Sequence, residues 1–246
     1  MSVVVLERSS SLSTLRSLSL CVQIATVLCT EYGHHLALPS RVQGSTVTEV
    51  NMEYPNWFAQ SAQYNFDVLL QRFIGEDDLK FLQLGAYTGD ASVWMLENIL
   101  TGKNSILQDV DTWEGSKELA HKEMDFDDVY QTYLNKTDQY LNIWNYKGTT
   151  FNFLAHVTEC KDCIHYYYDF IYIDADHTTV GVLLDAEMSW PLLKSGGIMA
   201  FDDYTWHHHT GDPRLEPKVG IDLFLHRHTG EYEILAVNDQ VWIEKQ

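Results

Sequence analysis

Positive charge is what this sequence has least of. Sixteen Lys and Arg stand against 35 Asp and Glu, a formal charge of −19 over 246 residues. Such a surface repels phosphate backbones and anionic headgroups, which argues against nucleic-acid and membrane partners. Long apolar runs are missing too: the mostly apolar stretch from Leu18 to Cys29 is too short to span a bilayer. Cysteine is scarce, with four in all. Cys160 and Cys163 form C-K-D-C, but Cys21 and Cys29 supply no second pair at zinc-ribbon spacing. A thioredoxin-type pair would open a helix after a strand, whereas this one precedes the Tyr-rich His165-Tyr-Tyr-Tyr-Asp169. The pair reads as reduced loop thiols in a cytoplasmic protein. The G-x-G-x-x-G of a pyrophosphate cradle is also lacking, which disfavours a nucleotide-dependent dehydrogenase.

What is present suffices for one well-filled domain: apolar residues make up 45% of the chain and aromatics 13%. The first fifty residues stand apart. Ser9 to Ser19 is Ser/Leu low complexity, and Arg8 and Arg16 ahead of Leu18–Cys29 faintly resemble a signal peptide. No small-x-small cleavage site follows, since Thr30-Glu-Tyr-Gly-His-His is a poor match. Globular patterning starts at Met52, and Glu49-Val50 is encodable as GAG-GTN, which would serve as a ribosome-binding site at a sensible spacing. The expectation is an N-terminal extension over 1–51, poorly ordered or not translated, followed by one domain over 52–246. A native N-terminus found by mass spectrometry only at Met1 or Ser2 would exclude a start at Met52.

From Met52 onward helical and strand periods alternate. Helices are expected over Asn56–Gly75, Asp90–Leu100, Val180–Leu193 and Pro217–Leu225, with one or two polar helices between Glu118 and Tyr140. Strands are expected at Lys80–Leu84, Ser105–Asp109, Leu141–Tyr146, Asp169–Ile173 and Gly197–Phe201. Tyr232–Val237 and Gln240–Glu244, joined through Asn238-Asp239, read as a hairpin. The predicted fold is α/β: a doubly wound, seven-stranded, mostly parallel sheet with a C-terminal antiparallel hairpin.

Two features point to a bound nucleoside. The loop Leu84-Gly85-Ala86-Tyr87-Thr88-Gly89 joins the first strand to a helix, where ligands of open α/β sheets settle. Its glycines let backbone approach a ligand without a Cβ in the way. Asp109 and Asp111 follow at the end of the second strand, where a carboxylate can hold both ribose hydroxyls. Taken singly, either acid reads as well as a cap for Thr112–Ser116.

With these pieces in place, the chain from about Trp57 to its end resembles a class I S-adenosylmethionine-dependent methyltransferase. It is most similar to the metal-dependent small-molecule and sugar O-methyltransferases. The matching segments are Leu84–Gly89, Tyr168-Asp-Phe-Ile-Tyr-Ile-Asp174, Trp190-Pro-Leu-Leu-Lys-Ser-Gly-Gly-Ile198 and Phe201-Asp-Asp-Tyr204. The resemblance implies a Rossmann-like methyltransferase fold, with Gly85, Ala86, Tyr87, Thr88 and Gly89 lining the methionine part of the cofactor and Asp109 or Asp111 on the ribose. It also implies Thr149 or Thr150 near the adenine. Gln83 departs from the pattern, for the family carries an acid there beside the cofactor's ammonium.

Asp174, Asp202 and Asp203 fall at the ends of neighbouring strands, where converging oxygen ligands suit a hard cation, Mg²⁺ first and Mn²⁺ second. In the resembled family these positions are the metal ligands. His177 stands three residues past Asp174, at the offset where the family carries the base that takes the hydroxyl proton. Imidazole suits that task because it titrates near neutrality. The function expected is therefore metal-dependent methylation of a hydroxyl on a small molecule or sugar. Metal-independent transfer, with the carboxylates structural, and a non-catalytic cofactor-binding protein are the alternatives, and homo-oligomerisation stays open. Trp206-His207-His208-His209 reads as a substrate-side loop, since consecutive histidines diverge, with Tyr204 and Trp206 as an aromatic wall. Trp57 and Phe58 read as core packing or a cofactor cover, and Asp185 and Glu187 as solvated.

Overall fold

The computed structural model describes residues 54–116, 121–159, 167–206 and 211–246. The four cysteines, Met52 with the extension before it, and His207–His209 lie outside the described residues. Seven strands form one sheet among the described residues: β1 (Lys80–Leu84), β2 (Ile106–Asp111), β3 (Ile143–Lys147), β4 (Tyr168–Ile173), β5 (Leu193–Phe201), β6 (Tyr232–Val237) and β7 (Val241–Lys245). Their order is β3-β2-β1-β4-β5-β7-β6. The first five run parallel, and β7 is antiparallel to both β5 and β6. The chain winds outward from β1 through β3, then returns to β4 on β1's other side. That reversal makes a crevice at the carboxyl ends of β1 and β4.

The six α-helices among the described residues are α1 (Gln63–Leu69), α2 (Asp90–Asn98), α3 (Phe126–Thr137), α4 (Thr150–Glu159), α5 (Thr179–Ser189) and α6 (Pro217–Arg227). Their ends follow local chemistry. The Asp125 carboxylate accepts from the N–H groups of Asp127 and Asp128 at the start of α3, and Thr178 Oγ1 accepts from Gly181 N–H at the start of α5. Pro217 opens α6, where a missing N–H costs nothing. The helix expected over Asn56–Gly75 is instead broken into a π-type turn (Phe58–Ala62), α1 and a 3₁₀ turn (Gln71–Phe73).

Alternation along the buried strands sends side chains to two cores. Leu82, Leu84, Ile171, Ile173, Met199 and Phe201 pack with α4, α5 and α6 through Leu154, Val182 and Phe224. Phe81, Phe170, Tyr172, Ile198 and Ala200 pack on the opposite face with Phe66, Met95 and Trp242. Phe66 of α1 meets Phe170, Tyr172 and Trp242 edge-on at centroid distances of 5.6, 5.0 and 5.1 Å, the geometry the ring quadrupoles favour. The core thus clamps β4, β5 and the hairpin together and fixes where their carboxyl ends lie. No helix among the described residues is long and apolar enough to cross a membrane.

Candidate active site

Strand register brings the functional segments to one edge. Leu84 pairs with Ile173, and Ile173 with Phe201, so the next residues of each strand emerge side by side. Asp174 N–H donates to Leu84 O at 2.8 Å, and Asp202 N–H to Ile173 O at 3.0 Å. Gly85, at φ +90°, lies so close to β4 that a Cβ there would stand 1.8 Å from Asp174 O. Gly89 has φ +81°, and a Cβ on it would meet the Tyr133 ring at 2.9 Å. Both positions demand glycine for conformation and for space.

The acidic residues converge with an imidazole. His177 Nε2 lies 2.9 Å from Asp203 Oδ2 and 3.5 Å from Asp174 Oδ1. Asp203 holds a left-handed backbone, φ +57°, a conformation Asp tolerates better than most residues and one that recurs at functional sites. The Trp206 ring stands edge-on to His177 at 5.5 Å. Asp174 is pushed well above the usual carboxylate range, first by burial and then by the negative charge of Asp202, with the hydrogen bond from His177 opposing both. Asp202 is raised to about 6, by burial and then by Asp203.

A methyltransferase domain model matches residues 82–204, which is half of the chain. The chain belongs to the methyltransferase domain family. It is a class I S-adenosylmethionine-dependent methyltransferase, and its sheet order and crevice are those of the fold. Solved structures resemble it at low identity. A candidate O-methyltransferase of Klebsiella pneumoniae is 17% identical over 76% of this chain and 80% of its own, with a TM-score of 0.51. A candidate caffeoyl-CoA O-methyltransferase of Staphylococcus aureus is 15% identical over 77% of this chain and 90% of its own, at 0.50. MycE of the mycinamycin biosynthetic pathway, solved with Mg, S-adenosylhomocysteine and mycinamycin VI, is 15% identical over 77% of this chain and 49% of its own, also at 0.50. No curated protein sequence matches the chain.

Within this methyltransferase the two β2 acids have different surroundings. Asp109 is fully buried, its Oδ2 accepting from Ser92 Oγ at 2.7 Å and from Tyr133 O–H at 2.9 Å, and burial raises its pKa to about 7. Asp111 is partly exposed, and its Oδ2 accepts from Ala86 and Tyr87 N–H at 2.8 and 2.9 Å. Of the two, Asp111 is the one with solvent-accessible surface, and its Oδ1 accepts from Trp113 N–H at 2.8 Å. Gln83 is buried and donates to Gly85 O at 2.8 Å, bracing the glycine loop from below. Tyr87 stacks on Trp57 at 4.7 Å, and Thr88 Oγ1 donates to Asp90 at 2.8 Å. Trp57 therefore lies over the glycine loop, while Phe58 packs on Phe66 at 5.0 Å in the core. Thr149 accepts from Asn152 N–H at 3.2 Å at the start of α4, and Thr150 Oγ1 donates to Asp185 Oδ1 at 2.5 Å.

Three placements differ from the sequence reading. Asp185, expected in solvent, is 2% exposed beneath the start of α4, and burial raises its pKa to about 7. Glu187 is partly buried and forms an ion pair with Arg227, Oε1 to Nε 2.9 Å. Asp202, expected beside Asp174 and Asp203 as a ligand, turns its carboxylate toward Tyr172 O–H, Gln240 Nε2 (3.2 Å) and Asp203 N–H (2.9 Å). A carboxylate offers about four lone-pair sites, so three donors leave it one. Tyr204 O–H donates to Asp222 at 2.8 Å, its oxygen accepts from Lys218 Nζ at 2.5 Å, and the ammonium also lies 4.1 Å from the Tyr204 ring centroid. The partners Gln240 and Tyr172 escaped the sequence reading because nothing in their local spacing marks them as polar neighbours of the site.

Asp174, His177 and Asp203 each offer a ligand atom, all within 4.8 Å of one another. Two carboxylate oxygens that repel one another are a donor set suited to a divalent cation, with the imidazole nitrogen beside them. The residues fit the group.

Proposed function

We propose that this enzyme is a divalent-metal-dependent O-methyltransferase acting on a hydroxyl of a small molecule or sugar. One observation carries the reading: His177, Asp174 and Asp203 meet at the ends of adjacent strands, and Asp174 backbone abuts the glycine loop. The loop Gly85–Gly89 would line the methionine part of S-adenosylmethionine, Asp111 the ribose, and Thr149 or Thr150 the adenine side. Asp174 and Asp203 would hold Mg²⁺ or Mn²⁺, with Asp202's remaining lone pair available to join them. A bound divalent cation lowers the pKa of a hydroxyl it touches and neutralises the clustered carboxylates.

The chain's own groups do the rest. His177 takes the acceptor hydroxyl's proton. The oxygen's electron pair forms the new O–CH₃ bond as the C–S bond breaks, and that pair returns to sulfur in S-adenosylhomocysteine. Asp203, 2.9 Å from Nε2, stabilises the imidazolium that results, and alignment in the crevice supplies much of the acceleration. MycE, which shares the fold at a TM-score of 0.50, was solved with Mg and mycinamycin VI, which supports the metal and acceptor class proposed here. Metal-independent transfer remains a second reading, because the His177–Asp203 pair can act as a base without a cation.

A mass-shift screen of hydroxylated acceptors with methyl-labelled cofactor tests the proposal. It predicts products heavier by one labelled methyl at oxygen. Transfer to nitrogen alone, or cofactor binding without transfer across the panel, would refute it.

A further inference from the structure

Behind Asp202 lies a buried chain of amides that the reaction itself does not call for. Gln240, fully buried at the base of the β6–β7 turn, donates Nε2–H to Asp202 Oδ1 at 3.2 Å. Its Oε1 accepts from two donors, Asn65 Nδ2 at 2.7 Å and Trp242 Nε1 at 2.9 Å. Indole N–H can only donate, so the Gln240 amide has one permitted orientation, with its own donor toward the carboxylate. Asn65 of α1 is held in turn by a reciprocal pair with Asn238, at 3.0 and 3.1 Å. Gln240, Asn65 and Trp242 are buried, with Asn238 at the exposed turn; burying such groups is costly unless each finds a partner, and a satisfied network fixes one geometry.

We infer that Gln240 is a positioning residue for the catalytic cluster, with Asn65 and Trp242 locking its amide. Gln240 and Tyr172 aim Asp202, and Asp202 Oδ1 holds Asp203 N–H at 2.9 Å. That bond secures the left-handed turn from which Asp203 reaches His177. Helix α1 and the terminal hairpin, far apart in sequence, thus jointly set the spacing of the His177–Asp203 pair. The inference rests on the proposed metal centre only for the second of its two readouts.

The test is Gln240→Glu, which keeps an acceptor for Asn65 and Trp242 but turns an oxygen toward Asp202. The first readout is the ring ¹⁵N and ¹H NMR signal of His177 in metal-free protein. The second is Mn²⁺ affinity by electron paramagnetic resonance, with the melting temperature measured alongside. The expected result is a shifted His177 signal and Mn²⁺ binding weakened about 10-fold, despite the added negative charge, the scale seen when a partner behind a metal ligand is lost. A folded variant with the wild-type His177 signal and Mn²⁺ affinity would overturn the inference. If wild-type protein binds no Mn²⁺ while the His177 signal still moves, the metal reading falls and the positioning role stands. Should Gln240→Glu not fold, Trp242→Phe, which removes one of the two donors locking the amide, carries the same readouts with the same criteria.

Discussion

A Cβ placed on Gly85 would stand 1.8 Å from the carbonyl oxygen of Asp174. The loop expected to hold the methyl donor and the strand end that opens the acidic cluster are therefore in direct backbone contact. Gly85→Ala forces them apart and also strains a φ of +90°. Destabilisation beyond about 1 kcal/mol, with loss of S-adenosylmethionine binding, is the expected outcome in denaturant melts and calorimetry. A Gly85→Ala variant with wild-type stability and cofactor affinity would show that the contact is not required.

His177→Ala should leave S-adenosylmethionine affinity nearly intact, since the ring faces Asp203 and Asp174 rather than the glycine loop. Turnover should fall about 100-fold or more, the usual scale for losing a general base. Steady-state kinetics beside a cofactor titration checks this; unchanged turnover would remove the assignment.

Asp109 makes a prediction about pH and stability that does not involve catalysis. Its folded pKa, about 7, lies above the ordinary 3.8 because of burial. Between these values the fold keeps a proton that the unfolded chain releases, so stability declines with rising pH. The contribution is fully present below about 4 and is lost at about 1.4 kcal/mol per pH unit until about 7. Asp109→Asn, which mimics the protonated group, should flatten the stability curve by that slope and be the more stable form above neutrality. Parallel curves for the two proteins from pH 4 to 8 would contradict the buried acid's role. Asp185, raised to about 7 by the same cause, should contribute a slope of similar sign.

Much of the fold was legible because buried parallel strands announce themselves. Phe81–Leu84, Phe170–Ile173 and Ile198–Phe201 are buried on both faces and, Gln83 apart, built from apolar and aromatic residues, as strands covered by two helical layers must be. The hairpin showed in its Asn238-Asp239 turn. Helix α4 is not among the helices expected from the sequence, although Phe153, Leu154 and Val157 on it are buried at helical spacing. At the candidate site, Asp174 and Asp203 were readable from their place after apolar runs, whereas His177 came from the offset that the family resemblance implies; the three lie together. The turn of Asp202 toward Tyr172 and Gln240 was not, because it depends on which way a carboxylate rotates among partners 30 and 38 residues away. Nor was the burial of Asp185, which follows from how α4 and α5 pack.

The central claim, that Asp174 and Asp203 hold a divalent cation beside the methyl donor, meets its most direct test in one assay. Methyl transfer from S-adenosylmethionine to a responsive hydroxylated acceptor would be followed with EDTA present, then with Mg²⁺ restored, in wild-type protein and in Asp174→Asn. The account predicts that EDTA abolishes transfer, that Mg²⁺ restores it, and that the variant needs far more Mg²⁺ for a lower rate. Transfer that proceeds undiminished in EDTA, with Asp174→Asn as fast as wild type, would contradict it.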